Sequence, residues 1–283
     1  MNPPLIGAPA LAALLRDRPG AVLVCDCSFD LADPGAGARA YAQGHIPGAV
    51  YVHLDQVLSG AKTGANGRHP LPERERFAAA IAGLGAGRDT HVVAYDANGA
   101  MFAARLWWML RWAGHAAVSV LDGGLAAWKE AGLPLSLETP RRAPGDLALR
   151  APLAGTVDYA QVLQNLDNGK QLLVDARSPD RFRGENETLD PVGGHIPGAR
   201  NRFFKDNLAP DGRFKPAAAL RREFEALLDG HPAGRVVSQC GSGVTACHNI
   251  LAMAIAGLPV PLLYPGSWSE WCAQPGAPLE REL

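Results

Sequence analysis

No stretch of this 283-residue chain reaches the roughly 18–20 consecutive apolar residues that a membrane span needs. The opening segment, MNPPLIGAPALAALLRDRPG, has no basic region ahead of its apolar stretch and is interrupted by prolines, so it does not read as a signal peptide. Excess charge of one sign is also missing. Lys plus Arg number 27 against 28 Asp plus Glu, a net charge of -1, which argues against a nucleic-acid or membrane-surface partner. Cysteine is sparse and odd in number: Cys25, Cys27, Cys240, Cys247 and Cys272. A chain this long does not need disulfide staples, so free thiols in a reducing, cytoplasmic compartment are expected. No CxxC pair or HxxxH cluster offers a zinc site, and no cofactor is expected. Cys25 and Cys27 are too close for good disulfide geometry and read as one thiol in and one out at a strand end.

What the chain does have is 47% hydrophobic residues and a length suited to two domains. It also repeats itself. GHIPGA occurs at 44–49 and again at 194–199. VLVCD, ending at Asp26, matches LLVDA around Asp175; HVVAYD (91–96) matches RVVSQC (235–240); LDGGLAAW (121–128) matches YPGSWSEW (264–271). The landmarks keep one order and their offsets drift by only a few residues, which is duplication of a whole domain. A proline- and arginine-bearing stretch lies between the copies, so domains are expected at 1–135 and 154–283 with a linker over 136–153. In the second copy QLLVDA (171–176) and RVVSQ (235–239) read as buried strands, and 216–228 and 245–257 as helices. Apolar strands alternating with helices imply an α/β fold: in each domain a mostly parallel sheet with helices on both faces and sites at the carboxyl ends of strands.

Cys240 stands at such an end. It follows RVVSQ and opens Cys240-Gly241-Ser242-Gly243-Val244-Thr245, ahead of a helix. Two glycines let the backbone close into a cradle with its amides turned inward, and the helix contributes the positive end of its dipole. Both favour the thiolate of Cys240 and an anion beside it. A thiolate is nucleophile and leaving group in one, as reversible sulfur transfer demands. An inert buried thiol is the commoner fate of a cysteine, but the strand–glycine loop–helix setting favours function. Cys247 and Cys272 lack that setting and read as packing residues. The first copy has Asp96 at the matching position, which cannot carry sulfur. A cysteine phosphatase loop would close on an arginine, but position 246 is Ala246.

The duplicated GHIPGA, the Asp for Cys exchange and CGSGVTAC (240–247) resemble the rhodanese superfamily, specifically its tandem-domain sulfurtransferases, over nearly the whole chain. The resemblance implies two rhodanese-like domains, the second catalytic. It implies a small anionic sulfur donor, a Cys240 persulfide, and a cyanide or thiol acceptor, a thioredoxin-like protein included. The loop is similar to that of members using 3-mercaptopyruvate; thiosulfate-using members carry basic residues after the cysteine, where this chain has Gly241 and Ser242. On the same resemblance Gly241, Gly243, Val244 and Thr245 line the donor, and Arg181 binds its carboxylate, as a guanidinium does bidentately. A second arginine about nine residues further on is replaced by Asp190, and Arg202 is the expected substitute. A proton relay would comprise Ser242, His69 and Asp55. His45 and His195, the histidines of the repeated GHIPGA, are expected to serve the turn. The alternatives are a thiosulfate sulfurtransferase and, in a different class, a non-catalytic rhodanese-like binding or regulatory module.

Overall fold

The computed structural model describes residues 2–281. The chain forms two compact units, each around its own parallel sheet. Unit 1 holds the residues up to Gly60, together with Pro72–Leu153 and Pro210–Phe214; unit 2 holds Ala61–Leu71, Ala154–Ala209 and the residues from Lys215 onward.

In unit 1 the elements run β1 (Leu5–Ile6), α1 (Ala8–Asp17), β2 (Val22–Asp26), α2 (Ala36–Gln43), β3 (Val50–Tyr51), α3 (Arg74–Gly83), β4 (His91–Tyr95), α4 (Ala103–Trp112), β5 (Val118–Leu121) and α5 (Gly124–Glu130). The strand order is β1-β5-β4-β2-β3, every pair parallel. In unit 2 they run α6 (Tyr159–Asn168), β6 (Leu172–Asp175), α7 (Pro179–Arg183), β7 (Arg200–Asn201), α8 (Ala217–Leu228), β8 (Val236–Gln239), α9 (Ala246–Ile255), β9 (Leu262–Leu263) and α10 (Ser267–Trp271). The order is β7-β6-β8-β9, again all parallel. A single parallel bridge from Thr156 to Leu263 takes the place that β1 holds in the first sheet.

The sequence explains the elements locally. β2 and β6 open on runs of Val and Leu buried on both faces, as strands between helical layers must be. α6 opens on a capping box: the Asp158 side chain accepts from the Gln161 amide, and the Gln161 side chain accepts from the Asp158 amide. α8 buries Leu220, Phe224 and Leu228, one side chain per turn, each adding about 1.5–3 kcal/mol relative to exposure. The helices expected at 216–228 and 245–257 are α8 and α9.

The units depart from the expected boundaries in three places. Residues 136–153 stay with unit 1 instead of forming a linker, because their backbone is bonded into it. Gly145 donates to the Ala82 carbonyl at 2.8 Å, and Leu147 to that of Ala86 at 3.1 Å. Ala61–Leu71 belong to unit 2 and Pro210–Phe214 to unit 1. The first of these brings His69 into the unit that carries Cys240.

Both GHIPGA copies turn out alike. His45 stacks on Tyr41 with 3.8 Å between rings and its Nδ1 bonds the Tyr41 carbonyl at 2.8 Å. His195 stacks on Phe182, also at 3.8 Å, with Nδ1 on the Phe182 carbonyl at 2.8 Å. In each copy the histidine holds the turn against a preceding helix. The final glycines, Gly48 and Gly198, have φ of 75° and 73°, where a Cβ would be strained.

Candidate active site

In unit 2 the chain leaves β6 toward β7 on one side, and β8 lies on the other. The crevice at their carboxyl ends is a topological switch point. Cys240 follows β8 directly, and Arg177 and Arg181 follow β6.

Cys240 is 2% exposed. Its amide donates to Ser267 Oγ at 3.1 Å, and its carbonyl accepts from the Trp268 amide at 3.0 Å, so the backbone at the thiol is pinned on both sides. The Ser242 amide points back at Cys240 Sγ, 3.4 Å away. Gly243 has φ of 74°, and a Cβ there would stand 2.4 Å from the Pro265 carbonyl oxygen, so only glycine fits. Val244 and Thr245 are buried where the loop enters α9. Ser242 Oγ lies 2.8 Å from His69 Nδ1, both residues buried. Cysteine, serine and histidine therefore stand in contact sequence. Asp55 belongs to unit 1, where its amide donates to His53 Nδ1 at 3.1 Å.

Three arginines bear on this loop. Arg177, 3% exposed, donates through Nε and Nη2 to Asp175, and through Nη2 to the Gly194 carbonyl at 2.7 Å. Its guanidinium lies over the Trp268 ring at 4.8 Å. Burial works against its charge, but Asp175 and Glu187 together hold its pKa above the ordinary value. Arg181 donates from Nε to Glu187 at 3.0 Å and from Nη2 at 2.9 Å, and Nη2 also reaches Asp190 at 3.4 Å. Burial opposes ionisation of Glu187. The Leu189 amide and the Arg181 guanidinium outweigh it and hold the acid below the usual glutamate range. Arg68, which the sequence reading passed over, forms an ion pair with Asp190.

Gly241 shows where these groups sit. A Cβ on it would be 2.7 Å from Arg68 Nη2, and 3.6 and 3.7 Å from Arg181 Nη2 and Nη1. The loop has no cation of its own, but two guanidinium groups from other segments lie against it. Arg202, the expected substitute for the missing second arginine, is engaged elsewhere. It pairs with Glu223 at 2.6 Å, bonds Asn207 at 3.1 Å and stacks over Phe224. Arg183 pairs with Glu185 at the surface.

The other thiols are poor nucleophiles. Cys247 is fully buried and its Sγ donates to the Gly243 carbonyl at 3.4 Å. Burial pushes Cys272 up to about 11 and Cys25 to about 12. Among the described residues no group of three or more His, Cys, Asp or Glu is disposed to hold a metal ion, and no helix is long and apolar enough to cross a membrane.

The matching loop of unit 1 is closed on itself. Asp96 Oδ1 accepts from the amides of Asn98 and Ala100 at 2.8 and 2.9 Å, and Oδ2 from those of Phe102 and Ala103 at 2.8 and 2.9 Å. The cradle survives there with a carboxylate built into it.

Two segments, 9–131 and 158–274, match the family model described as Rhodanese-like domain. A Pseudomonas aeruginosa protein named "Probable 3-mercaptopyruvate sulfurtransferase" is 47% identical over 97% of this chain and 97% of its own. Thiosulfate sulfurtransferase of Mus musculus is 36% identical over 88% of this chain and 84% of its own. The crystal structure of SseA from Escherichia coli, of the 3-mercaptopyruvate sulfotransferases, superposes with a TM-score of 0.79 at 32% identity, covering 94% of this chain and 99% of that one. The chain belongs to the rhodanese family and carries two Rhodanese-like domains in tandem.

Proposed function

We propose that this chain is a sulfurtransferase that takes sulfur from 3-mercaptopyruvate onto Cys240 and passes it to a thiophilic acceptor. The observation that carries the reading is the buried Cys240 thiol on its glycine loop, with the Ser242–His69 pair beside it. The Cys240 thiolate attacks the donor's sulfur, and an S–S bond forms as the C–S bond breaks. Its electrons leave as the enolate of pyruvate, which must take up a proton. The sulfur arrives on Cys240 as a persulfide. Cyanide or a thiolate then attacks the outer sulfur and frees the Cys240 thiolate. Ser242 and His69 are the groups placed to manage the proton as the enolate forms. Arg181 holds the donor's carboxylate through the edge that Glu187 leaves uncovered, Nη1.

The acceptor reads as cyanide or a small thiol, with a thioredoxin-like dithiol among the protein thiols that suit. All five cysteines are free, which fits a cytoplasmic setting. Unit 1, with Asp96 in its loop, takes no part in the covalent chemistry.

Thiosulfate is the second reading, favoured by the two guanidinium groups against Gly241, since a dianion needs cations. Purified protein assayed with cyanide separates the two: kcat/KM is expected to be higher for 3-mercaptopyruvate, and a higher value for thiosulfate would replace the first reading by the second. A variant sharpens the contrast. Sulfite leaves thiosulfate as a stable anion without a proton, whereas the enolate requires one. Ser242→Ala is therefore expected to slow 3-mercaptopyruvate turnover by about 10²-fold, in the range of general acid–base catalysis, and thiosulfate turnover far less. Equal losses with both donors would make Ser242 a packing residue of the loop.

A further inference from the structure

We infer that Arg68 is the second anion-binding guanidinium of the donor site, and that Asp190 acts by holding Arg68 in place. The inference rests on the reading of the Cys240 loop as the site of an anionic donor.

The position of Arg68 is built from the backbone outward. Ser269 donates its amide to the Gly241 carbonyl at 2.9 Å, and its Oγ accepts from the Arg68 amide at 3.0 Å. One residue thus ties Arg68 to the very residue its guanidinium faces. Gly67 permits the approach: with φ of 83°, a Cβ there would lie 2.8 Å from the Gly266 carbonyl oxygen. Downstream of the loop, Gln274 Nε2 donates to the Ala65 carbonyl at 3.1 Å and fastens the same segment.

The charges are layered. Asp190 and Glu187 have side chains only 3% and 5% exposed, whereas Arg68 and Arg181 are 29% and 19% exposed. Asp190 bonds Arg68 through Nη1, while Arg68 Nη2 is the atom against Gly241. The carboxylates are the more deeply covered partners, and guanidinium edges are what the loop meets. A guanidinium has five donors and one carboxylate cannot use them all, so each keeps N–H groups for an incoming anion. Asp190 also touches Arg181 at 3.4 Å, so a single acid spaces both cations. An acidic residue where a second arginine is expected is then a relocation of the charge, from position 190 to position 68.

Gly241 gives the proposal an independent handle. Its φ is not in the left-handed region, so alanine strains no backbone there, yet the new methyl group would meet Arg68 Nη2 at 2.7 Å. The flexible arginine must yield.

The test is steady-state kinetics with 3-mercaptopyruvate and cyanide on the full chain, alongside thermal melting. Arg68→Ala is expected to raise KM about tenfold or more, the scale of one charge-assisted hydrogen bond, with kcat little changed; the melting temperature is expected to fall, since Asp190, 3% exposed, loses that partner. Gly241→Ala should raise KM in the same direction, and the double variant should be no worse than Arg68→Ala alone, because both remove one interaction. Arg68→Lys, which keeps the charge but not the fork, should fall between. The exchange Arg68→Asp with Asp190→Arg should recover much of the affinity that Arg68→Asp loses. An unchanged KM in Arg68→Ala, with the wild type active, overturns the role of Arg68 and leaves the functional reading standing. A wild type inactive toward both 3-mercaptopyruvate and thiosulfate overturns the functional reading itself.

Discussion

Cys240→Ser is expected to abolish sulfur transfer, by roughly 10⁴-fold or more as for loss of an enzyme nucleophile, while the fold and melting temperature hold. Serine is close to cysteine in size, and the backbone bonds at position 240, to Ser267 and from Trp268, do not involve the side chain. The Ser242 amide that points at sulfur finds an oxygen acceptor instead. Chemistry is lost because an alkoxide neither forms at neutral pH nor leaves as a thiolate does. Mass spectrometry of the wild type after exposure to donor should find one added sulfur on the peptide containing Cys240. The other thiols make poor competitors. Cys25 and Cys272 are held in the thiol form by burial, Cys27 still more strongly, and Cys247 is covered completely. Added sulfur on Cys247 or Cys272 in its place would move the nucleophile and undo the site.

The reach of the sequence is clear from particular residues. The duplication was readable because GHIPGA serves a local turn, and local turn chemistry is written in adjacent residues. Cys240 was readable for the same reason: strand, glycines and helix follow one another along the chain. The guanidinium cluster was not. Arg68 lies far from Cys240 along the chain and is brought to its loop by the contact with Ser269. Nothing in NGRHPLP announces that contact. The one signal was indirect: Asp190, an acid where a base was expected, required a positive partner. Arg202, shortly after the second GHIPGA, was the expected substitute, but Glu223 and Phe224 on α8 engage it. Arg177 precedes Arg181 in the segment after β6. Its burial follows from Asp175 at the end of β6, a buried carboxylate that must be paired. The expected linker failed because proline and arginine content speaks for extended backbone and not for what that backbone bonds to.

Asp96→Asn is expected to destabilise unit 1 by about 3–5 kcal/mol, the scale of breaking a buried, fully hydrogen-bonded charge, although it changes one atom. The carboxylate takes four amide hydrogen bonds, two on each oxygen, and Asp96 is 1% exposed. The loop winds tightly to supply them, with Gly99 at φ of 69° and Ala100 at 66°. Burial pushes the Asp96 carboxyl up, and the four amides oppose it. An asparagine oxygen can satisfy only one pair of amides. Its NH₂ would then face the other pair, donor against donor, with no water to relieve the conflict. Asp96→Ala removes the conflict but leaves the buried amides of Ala100, Phe102 and Ala103 without their acceptor, so it should cost a similar amount. The measurement is hydrogen exchange at residues 98–103 together with the first unfolding transition in denaturant, since two units need not unfold as one. Faster exchange in that loop and an earlier transition are expected. Unchanged protection would mean that the amides are held by the loop backbone alone. Asp96→Cys should not create a second sulfur carrier. The residues after β2 that match Arg177 and Arg181 are Ser28 and Ala32, so the new thiol would lack those two guanidinium groups. In unit 1 the Asp96 carboxylate already takes up the loop amides, two on each oxygen.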